Sequence, residues 1–567
     1  MLRNSLRHHY CSASEFISSY ASIDRTKYVV AVFLFVNIVS GVEIKTRRTV
    51  VEKPSFRTVW PQPQVLETTL RQYILDSRTF KFRLAKEVPS CDIITDAIRR
   101  YRRLFFLPDC PKLRYHSSSD ALFDDPAMKT LPQLQIHMTT CEELPHLDMD
   151  ERYAINVSPS RPDAWLRANT NWGILRGLET FSQLIQTVNG THFLVNATYI
   201  EDFPRFPHRG LLIDTSRHFL PLRLILQTLD AMAYNKMNVL NWHIVDDQSF
   251  PYVSSLFPAM SEKGAYDPVT HVYSPKDVRH VIQEAALRGI RVIAEFDTPG
   301  HTLSWGKAYP SLLTTCYEQG LPTGTYGPID PSKKENYVFL ERFFQEVARV
   351  FPDQYIHLGG DEVSFDCWKS NQNITDFMEE LGIKDDYAKL EQFYVQRVVD
   401  LVEKFQKRYF VWQEVFDNGV ELAEESIIHV WKEPHEEEMW NVTNMGFRTL
   451  LSSCWYLDYI SYGADWEQYY ECDPQQFNGT LEQNQLVMGG EACIWGEYVD
   501  ASNLISRTWP RASAVAERLW SSATVRNITE AIPRFKNLRC LMVKRGLTPE
   551  PQEGPGFCPC DYLMQDL

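Results

Sequence analysis

Residues 354–363 read QYIHLGGDEV. A short, mostly apolar run ends in two glycines, and two carboxylates, Asp361 and Glu362, follow side by side. Adjacent like charges are costly where water is scarce, so the pair is either a solvated turn after a strand or an acid–base site. The run is continuous rather than alternating, which fits a strand buried on both faces. Seven more runs share its character: GLLID (210–214), MNVLNWHIV (237–245), IRVIAEFD (290–297), YFVWQE (409–414), IIHVW (427–431), FRTLLSS (447–453) and VMGGEACIW (487–495). Helical patterns such as LRLILQTLDAMAYN (222–235), PKDVRHVIQEAALRG (275–289) and LEQFYVQRVVDLVEKFQ (390–406) lie between them. Eight strand–helix units in sequence predict an α/β protein with a (β/α)8 TIM barrel.

In such a barrel, chemistry sits at the C-terminal ends of the strands. Here those ends read DTSRH, WHIVDD, EFDTPGH, GGDE, WQE, VW, CWYLD and IWGEYVD. Acids, histidines, an arginine and tryptophans share one phase eight times over, which favours the acid–base reading of Asp361 and Glu362. Tryptophan rings stack on the C–H faces of a pyranose, and carboxylates bind hydroxyls and move protons. Glycoside hydrolases usually place two carboxyl groups about 5–9 Å apart across the scissile bond. Neighbours in an extended segment point to opposite sides, so Asp361 and Glu362 cannot flank one bond in that way. If Glu362 is the acid, the nucleophile must come from elsewhere.

Upstream of the barrel the pattern is mixed. DIITDAIRRYRRLFF (92–106) has helical spacing, LPQLQIHMTT (131–140) and RYAINVS (152–158) alternate like strands, and WGILRGLETFSQLIQTV (172–188) reads as one amphipathic helix. The expected organisation is a signal peptide or signal anchor over 1–41 and a leader over 42–56. An N-terminal α+β domain follows over 57–205, then the catalytic barrel with a C-terminal extension over 206–567, the two joined at the Pro-rich FPRFPHRG (203–210).

The net charge is −15 and no long basic run occurs, which argues against a nucleic-acid partner. Arg25 and Lys27 precede YVVAVFLFVNIVSG (28–41), an apolar run of signal-peptide length and short of the roughly 20 residues of a spanning helix. If it is cleaved, no stable membrane span remains; if it is not, it is an anchor. There are seven N-x-[ST] sequons. Asn156 is the weakest, lying in an apparent strand before Pro159; the expected acceptors are Asn189, Asn196, Asn373, Asn441, Asn478 and Asn527. Twelve cysteines occur without a C-x-x-C, so disulfides in an oxidising compartment are expected and no metal or other cofactor is.

HLGGDEV (357–363), with DTSRHFLP (214–221), WHIVDD (242–247), AEFDTPGHT (294–302), VWQEVFDN (411–418), CWYLDYISYG (454–463) and WPRASAVAERLW (509–520), closely resembles the β-N-acetylhexosaminidases of glycoside hydrolase family 20, the animal lysosomal type most of all. The likeness spans roughly residues 57–560. It implies an exo-acting, retaining, substrate-assisted reaction on terminal N-acetylglucosamine and N-acetylgalactosamine of glycan substrates, in which the substrate's own acetamido oxygen is the nucleophile. By the resemblance, Glu362 is the general acid and then the base, Asp361 orients the acetamido group, and Asp246 and His301 form a relay to Glu362. Arg217 binds the C3 and C4 hydroxyls, and Trp412, Trp431 and Trp495 wall the acetamido pocket. Tyr456 donates to the acetamido oxygen, while Asp458 and Glu497 bind the C6 and C4 hydroxyls. Asp247, His243 and Glu414 are left as supporting residues, and the arginines and Glu517 of WPRASAVAERLW as structural ion pairs.

The resemblance also implies bridges Cys91–Cys141, Cys316–Cys367 and Cys540–Cys558, with Cys454 and Cys472 open to a fourth, and Cys11 lost on signal cleavage. A homodimer is expected, in the lysosome or secreted, or in the Golgi membrane if the anchor is kept. In the mammalian enzymes one subunit type carries Asn-Arg after WYL and handles sulfated sugars, the other Asp; Asp458-Tyr459 here implies neutral substrates. The alternatives are an enzyme processing N-glycans or chitooligosaccharides and a non-catalytic sugar-binding relative, the latter opposed by the complete carboxylate set. A barrel-type chitinase would need D-x-x-D-x-D-x-E, which is absent.

Overall fold

The computed structural model describes residues 59–107, 128–189 and 192–561. The apolar run 28–41, the leader 42–56 and Cys11 lie outside the described residues, and among those described no helix is long and apolar enough to cross a membrane.

The first described elements form a sheet of eight strands: β1 (Val65–Asp76), β2 (Lys81–Leu84), β3 (Lys129–Thr130), β4 (Gln133–Thr140), β5 (Tyr153–Val157), β6 (Ala164–Thr170), β7 (Gln186–Asn189) and β8 (His192–Asp202). Their order is β2-β4-β6-β5-β8-β1-β3, with β7 paired to β8. Alternation decides which face is covered: Leu134, Ile136 and Met138 of β4 are buried while their neighbours are half-exposed. Helices Asp92–Phe105 and Asn171–Leu184 bury Ile94, Ala97, Tyr101, Ile174, Leu178 and Phe181 in the same core. The second helix stops at Leu184, short of the expected 188. Ile185 is extended, and Gln186–Asn189 pair with β8 instead, so β-pairing overrides a helical pattern that continues on paper.

A buried ion cluster fastens this sheet to the barrel. Glu151 Oε1 pairs with Arg176 at 2.8 Å and with Arg209 at 2.6 Å. Arg176 also donates to the carbonyls of Arg288 and Gly289.

The eight apolar runs are the eight strands of a closed parallel barrel: β9 (His208–Asp214), β10 (Val239–His243), β11 (Arg291–Glu295), β14 (Tyr355–His357), β15 (Arg408–Trp412), β16 (Ile427–Val430), β17 (Arg448–Leu451) and β18 (Val487–Ile494). A hairpin, β12 (Leu313–Glu318) with β13 (Leu321–Ile329), is inserted between β11 and β14. Outward-facing residues such as Leu211, Leu240, Val292 and Val411 join the helix layer. Inside, one apolar layer of Val239, Ile293, Tyr355, Phe410, Ile427, Leu450 and Met488 forms the floor. Buried polar groups lie elsewhere on the strands, His208, Asn241, Glu295, His357, His429 and Glu491; barrels are more often filled by branched apolar side chains.

Among the described residues, four bonds join cysteine pairs: Cys91–Cys141, Cys316–Cys367, Cys454–Cys472 and Cys540–Cys558. The helix Arg511–Trp520 carries structural ion pairs, Glu517 with Arg534, Arg511 with Asp465 and Arg518 with Asp473. Asn373, Asn478 and Asn527 are exposed and Asn441 is half-buried. Asn196 differs from expectation. It is 5% exposed in β8, and its amide donates to the Thr69 carbonyl, so the folded strand leaves no room for a glycan there. The side chain of Asn189 lies outside the described residues.

Candidate active site

Gly359 and Gly360 end β14 at φ +68° and +94°, values that side-chain-bearing residues rarely adopt. Neither has room for one. A Cβ on Gly359 would lie 1.9 Å from Asp297 Oδ1, and one on Gly360 2.3 Å from Val415 Cγ2. This turn delivers the two carboxylates to the rim and parts them. Asp361 turns inward, its side chain 11% exposed, while that of Glu362 is 58% exposed. Glu362 and His301 both hold positive φ, +52° and +53°, a strain that concentrates at functional sites.

His301 is the meeting point. Its Nδ1 lies 3.2 Å from Asp246 Oδ1. Its Nε2 faces Asp361 at 3.8 Å, Glu362 at 3.9 Å and Asp297 at 4.0 Å. The expected relay is therefore closed on the Asp246 side and open toward Glu362. Among the described residues, His301 Nε2 and Asp361 Oδ1 are buried without a hydrogen-bond partner, as befits atoms kept for a ligand. Burial opposes a charge on His301, but the Asp246 hydrogen bond and Asp361 win and raise it to about 9. Asp297 is wholly buried beside Asp361 and accepts the Gly360 N–H at 2.7 Å; burial and Asp361 push its pKa well up. Asp297, His301 and Asp361 bring their ligand atoms within 4.8 Å of one another.

Arg217 is held by three carboxylates: Asp214 at 2.9 Å, Asp246 at 3.1 Å and Glu497 at 3.2 Å. Asp214, the last residue of β9, also accepts the backbone N–H groups of Ser216, Arg217 and Gly496, so it fixes both the arginine and the β18 rim. Behind Asp246 stands His243, its Nε2 2.7 Å from Asp246 Oδ2 and its Nδ1 3.0 Å from Glu295 Oε1. Despite burial, Glu295 and Asp246 raise His243 to about 10. In turn His357 and His243 hold Glu295 at about 2, against its own burial.

The opposite arc of the rim is aromatic. Trp412, Trp431, Trp495 and Tyr456 have neighbouring ring centroids 6.2–6.4 Å apart. Trp412 donates its indole N–H to Glu295, and Trp431 donates to Glu414 Oε2 at 2.9 Å. The Arg217 guanidinium lies 5.0 Å over the Trp495 ring. Asp458 accepts the backbone N–H of Trp495 at 3.4 Å; burial and Glu497 raise it to about 6.

All eleven expected catalytic and binding residues thus meet at one rim. Asp214, Glu295 and Asp297 were expected at the rim only as parts of the strand ends DTSRH and EFDTPGH, with no role of their own, and His243 and Glu414 are more central than expected. Asp214, Glu295 and Asp297 each stand at or just beyond a strand end, which is the signal that could have marked them.

Carboxylates set against an aromatic pocket on the rim of this (β/α)8 barrel are the equipment of a glycosidase. Residues 206–523 match the catalytic domain of glycosyl hydrolase family 20, and residues 59–184 match the domain described as beta-acetyl hexosaminidase like. The chain is 48% identical over 519 residues to the beta-hexosaminidase subunit alpha of Bos taurus, covering 89% of this chain and 95% of that one. It is 49% identical over 528 residues to the beta-hexosaminidase subunit beta of Homo sapiens, covering 92% and 93%. Among solved structures, the chitobiase of Flavobacterium johnsoniae has a TM-score of 0.74 at 29% identity, covering 87% of this chain and 73% of that one. An exo beta-N-acetylglucosaminidase from Vibrio harveyi has 0.71 at 22%, covering 88% and 79%, and shows the fold alone. The chain belongs to glycosyl hydrolase family 20.

Proposed function

We propose that this protein is an exo-acting, retaining β-N-acetylhexosaminidase that removes terminal N-acetylglucosamine and N-acetylgalactosamine from glycoconjugates, with the substrate's acetamido group as nucleophile. The observation that carries the mechanism is the divergence of Asp361 and Glu362: one carboxylate faces the buried pocket, the other the open rim. The acetamido oxygen attacks the anomeric carbon as the glycosidic C–O bond breaks, and Glu362 gives its proton to the leaving oxygen. Asp361 accepts a hydrogen bond from the acetamido N–H and stabilises the positive charge that develops there. Tyr456 aims the acetamido oxygen, and Trp412, Trp431 and Trp495 keep water from the oxazolinium until Glu362 takes a proton from the water that opens it. Arg217, Asp458 and Glu497 hold the ring hydroxyls. Asp246 and His301 place a fixed positive charge beside both working carboxylates.

Asp458 supports a preference for neutral substrates. The likeness to hexosaminidase subunits supports a homodimer, and the disulfides and sequons support a lysosomal or secreted protein, or a Golgi one if residues 1–41 act as an anchor. Residues 42–567, secreted and glycosylated, are assayed on chromogenic N-acetylglucosamine and N-acetylgalactosamine β-glycosides from about pH 3 to about pH 8. Activity on both, with a loss of about a thousandfold or more in Glu362→Gln, supports the reading. No hydrolysis by the folded wild type, or a fully active Glu362→Gln, overturns it.

A further inference from the structure

Phe206 and Pro207, just before β9, and Val487, the first residue of β18, wall a cleft of about 920 Å³. It therefore lies at the end of the barrel opposite the acid pair. Its back wall is already paired. Arg205 donates to both oxygens of Asp473 at 2.8 and 2.9 Å and to Gln475 at 2.7 Å, and Arg518 donates to Asp473 at 2.7 Å. Its mouth is not. Glu471, Gln476, Gln485 and Arg526 are exposed there, and among the described residues their side chains have no hydrogen-bond or ion-pair partner. Asn484 Oδ1 is buried without a partner, and Leu481 is 78% exposed. An arginine only donates, a carboxylate only accepts and an amide does both, so the mouth suits hydroxyls, with Leu481 as an apolar surface for the C–H face of a ring. Three arginines stand against two acids around the walls, which leaves no strong field to select an ion.

The chain carries its own occupant. Asn478, in the sequon NGT, stands between the wall residues Gln476 and Leu481. Its loop is fixed on both sides. Phe477 packs against the barrel core, and Thr480 caps the helix Leu481–Leu486 in a reciprocal pair with Gln483. Asn478 itself is exposed. Leu481 is three residues away, a reach of at most about 11 Å, so a glycan on Asn478 begins within a ring or two of the cleft. Single sugar contacts are weak, but a short tether raises the local concentration to roughly the millimolar range, where weak contacts suffice. Asn527, beside Arg526, is committed elsewhere: its side-chain oxygen accepts the Glu530 N–H at the start of the helix Ile528–Lys544.

We propose that this cleft seats the first sugars of the N-glycan on Asn478, so that this glycan packs on the protein instead of standing in solvent. The inference rests on the secretory reading above. The full chain is expressed in animal cells with its own N-terminus, and the folded protein is treated with peptide N-glycosidase. Mass spectrometry follows the conversion of asparagine to aspartate at Asn478 and at Asn373, an exposed acceptor on the helix Gln372–Leu381. In the folded protein Asn478 is released about tenfold more slowly than Asn373, and after denaturation the two agree within about twofold. Gln485→Ala with Arg526→Ala, two exposed positions away from the sequon, removes most of the protection. Equal release in folded wild type, or protection that survives the double variant, overturns the site. An Asn478 without glycan while other sequons carry one overturns it too. Glycan missing from every sequon removes the secretory reading itself.

Discussion

The indole N–H of Trp412 donates to Glu295 Oε1 at 3.2 Å, the same oxygen that faces His243 Nδ1 at 3.0 Å. One buried carboxylate thus couples the floor of the aromatic pocket to the histidine that holds Asp246, and through Asp246 to both His301 and Arg217. Glu295→Gln keeps the shape but turns one of its two acceptor oxygens into a donor, so either Trp412 and His243 together, or Asn241, which donates to the other oxygen at 3.0 Å, loses its partner. An unpaired buried polar group costs about 1–3 kcal/mol; spent on misplacing the site, that lowers kcat/KM about tenfold to a hundredfold. The acid and alkaline limbs of the pH profile shift with it, because His243 no longer charges as readily. Wild-type kcat/KM with an unmoved pH profile would refute the coupling.

Gly359→Ala and Gly360→Ala probe the turn that presents the acid pair. Each places a side chain at a positive φ, costing about 1–3 kcal/mol, and each drives a Cβ into a fixed neighbour, Asp297 or Val415. We expect losses of about 3 kcal/mol or more in denaturant unfolding, and activity lost beyond what the folded fraction explains. Either variant retaining full activity and stability would show that the turn has slack the structure does not suggest.

The barrel was legible because parallel strands covered on both faces must be continuously apolar, and eight such runs, from GLLID to VMGGEACIW, have no other home. The rim residues followed from the phase of those runs, and their roles from the family resemblance. Glu295 was legible as an acid at a strand end, in EFDTPGH, but not as a hub: nothing local tells a buried acid with several partners from one that only ends a strand. The partial opening of the His301–Glu362 relay is likewise a matter of tenths of an ångström between distant segments. The false extension of the helix to 188 came from apolar spacing that serves a helix and, in β7, a strand equally well.

Folding stability should fall as pH rises above neutrality. Burial raises Glu491, and burial with Glu414 raises Glu391, from 4.5 to about 8. The folded chain binds these protons more tightly than the unfolded one, so stability is lost from about pH 4.5 up to about pH 8. His243 and His301, raised from 6.5 to about 10 and about 9, contribute stability present below 6.5 and lost through those higher values. His208 and His429 are held low by burial and oppose this trend only as pH falls below 6.5. From about pH 7 to about pH 8.5 the four losses act together, and Tm drops by several degrees. Thermal scans at matched ionic strength test it; a flat or rising Tm across that window would contradict these protonation states.

Discrimination against 6-sulfated substrates should itself depend on pH. Repulsion of a sulfate by Asp458 requires the ionised carboxylate, yet burial and the neighbouring Glu497 raise Asp458 to about 6. Below that value it is largely protonated and can donate to a sulfate oxygen; above it, the repulsion between two anions a few ångströms apart returns. The ratio of kcat/KM, sulfated over unsulfated, should therefore fall about tenfold between about pH 5 and about pH 7.5. Asp458→Asn should flatten that dependence while raising the ratio at the higher pH. The unsulfated substrate serves as the internal reference, so titration of the shared acid cancels. A wild-type ratio that stays constant across the range would mean that Asp458 does not face C6, and the basis for expecting neutral substrates would go with it.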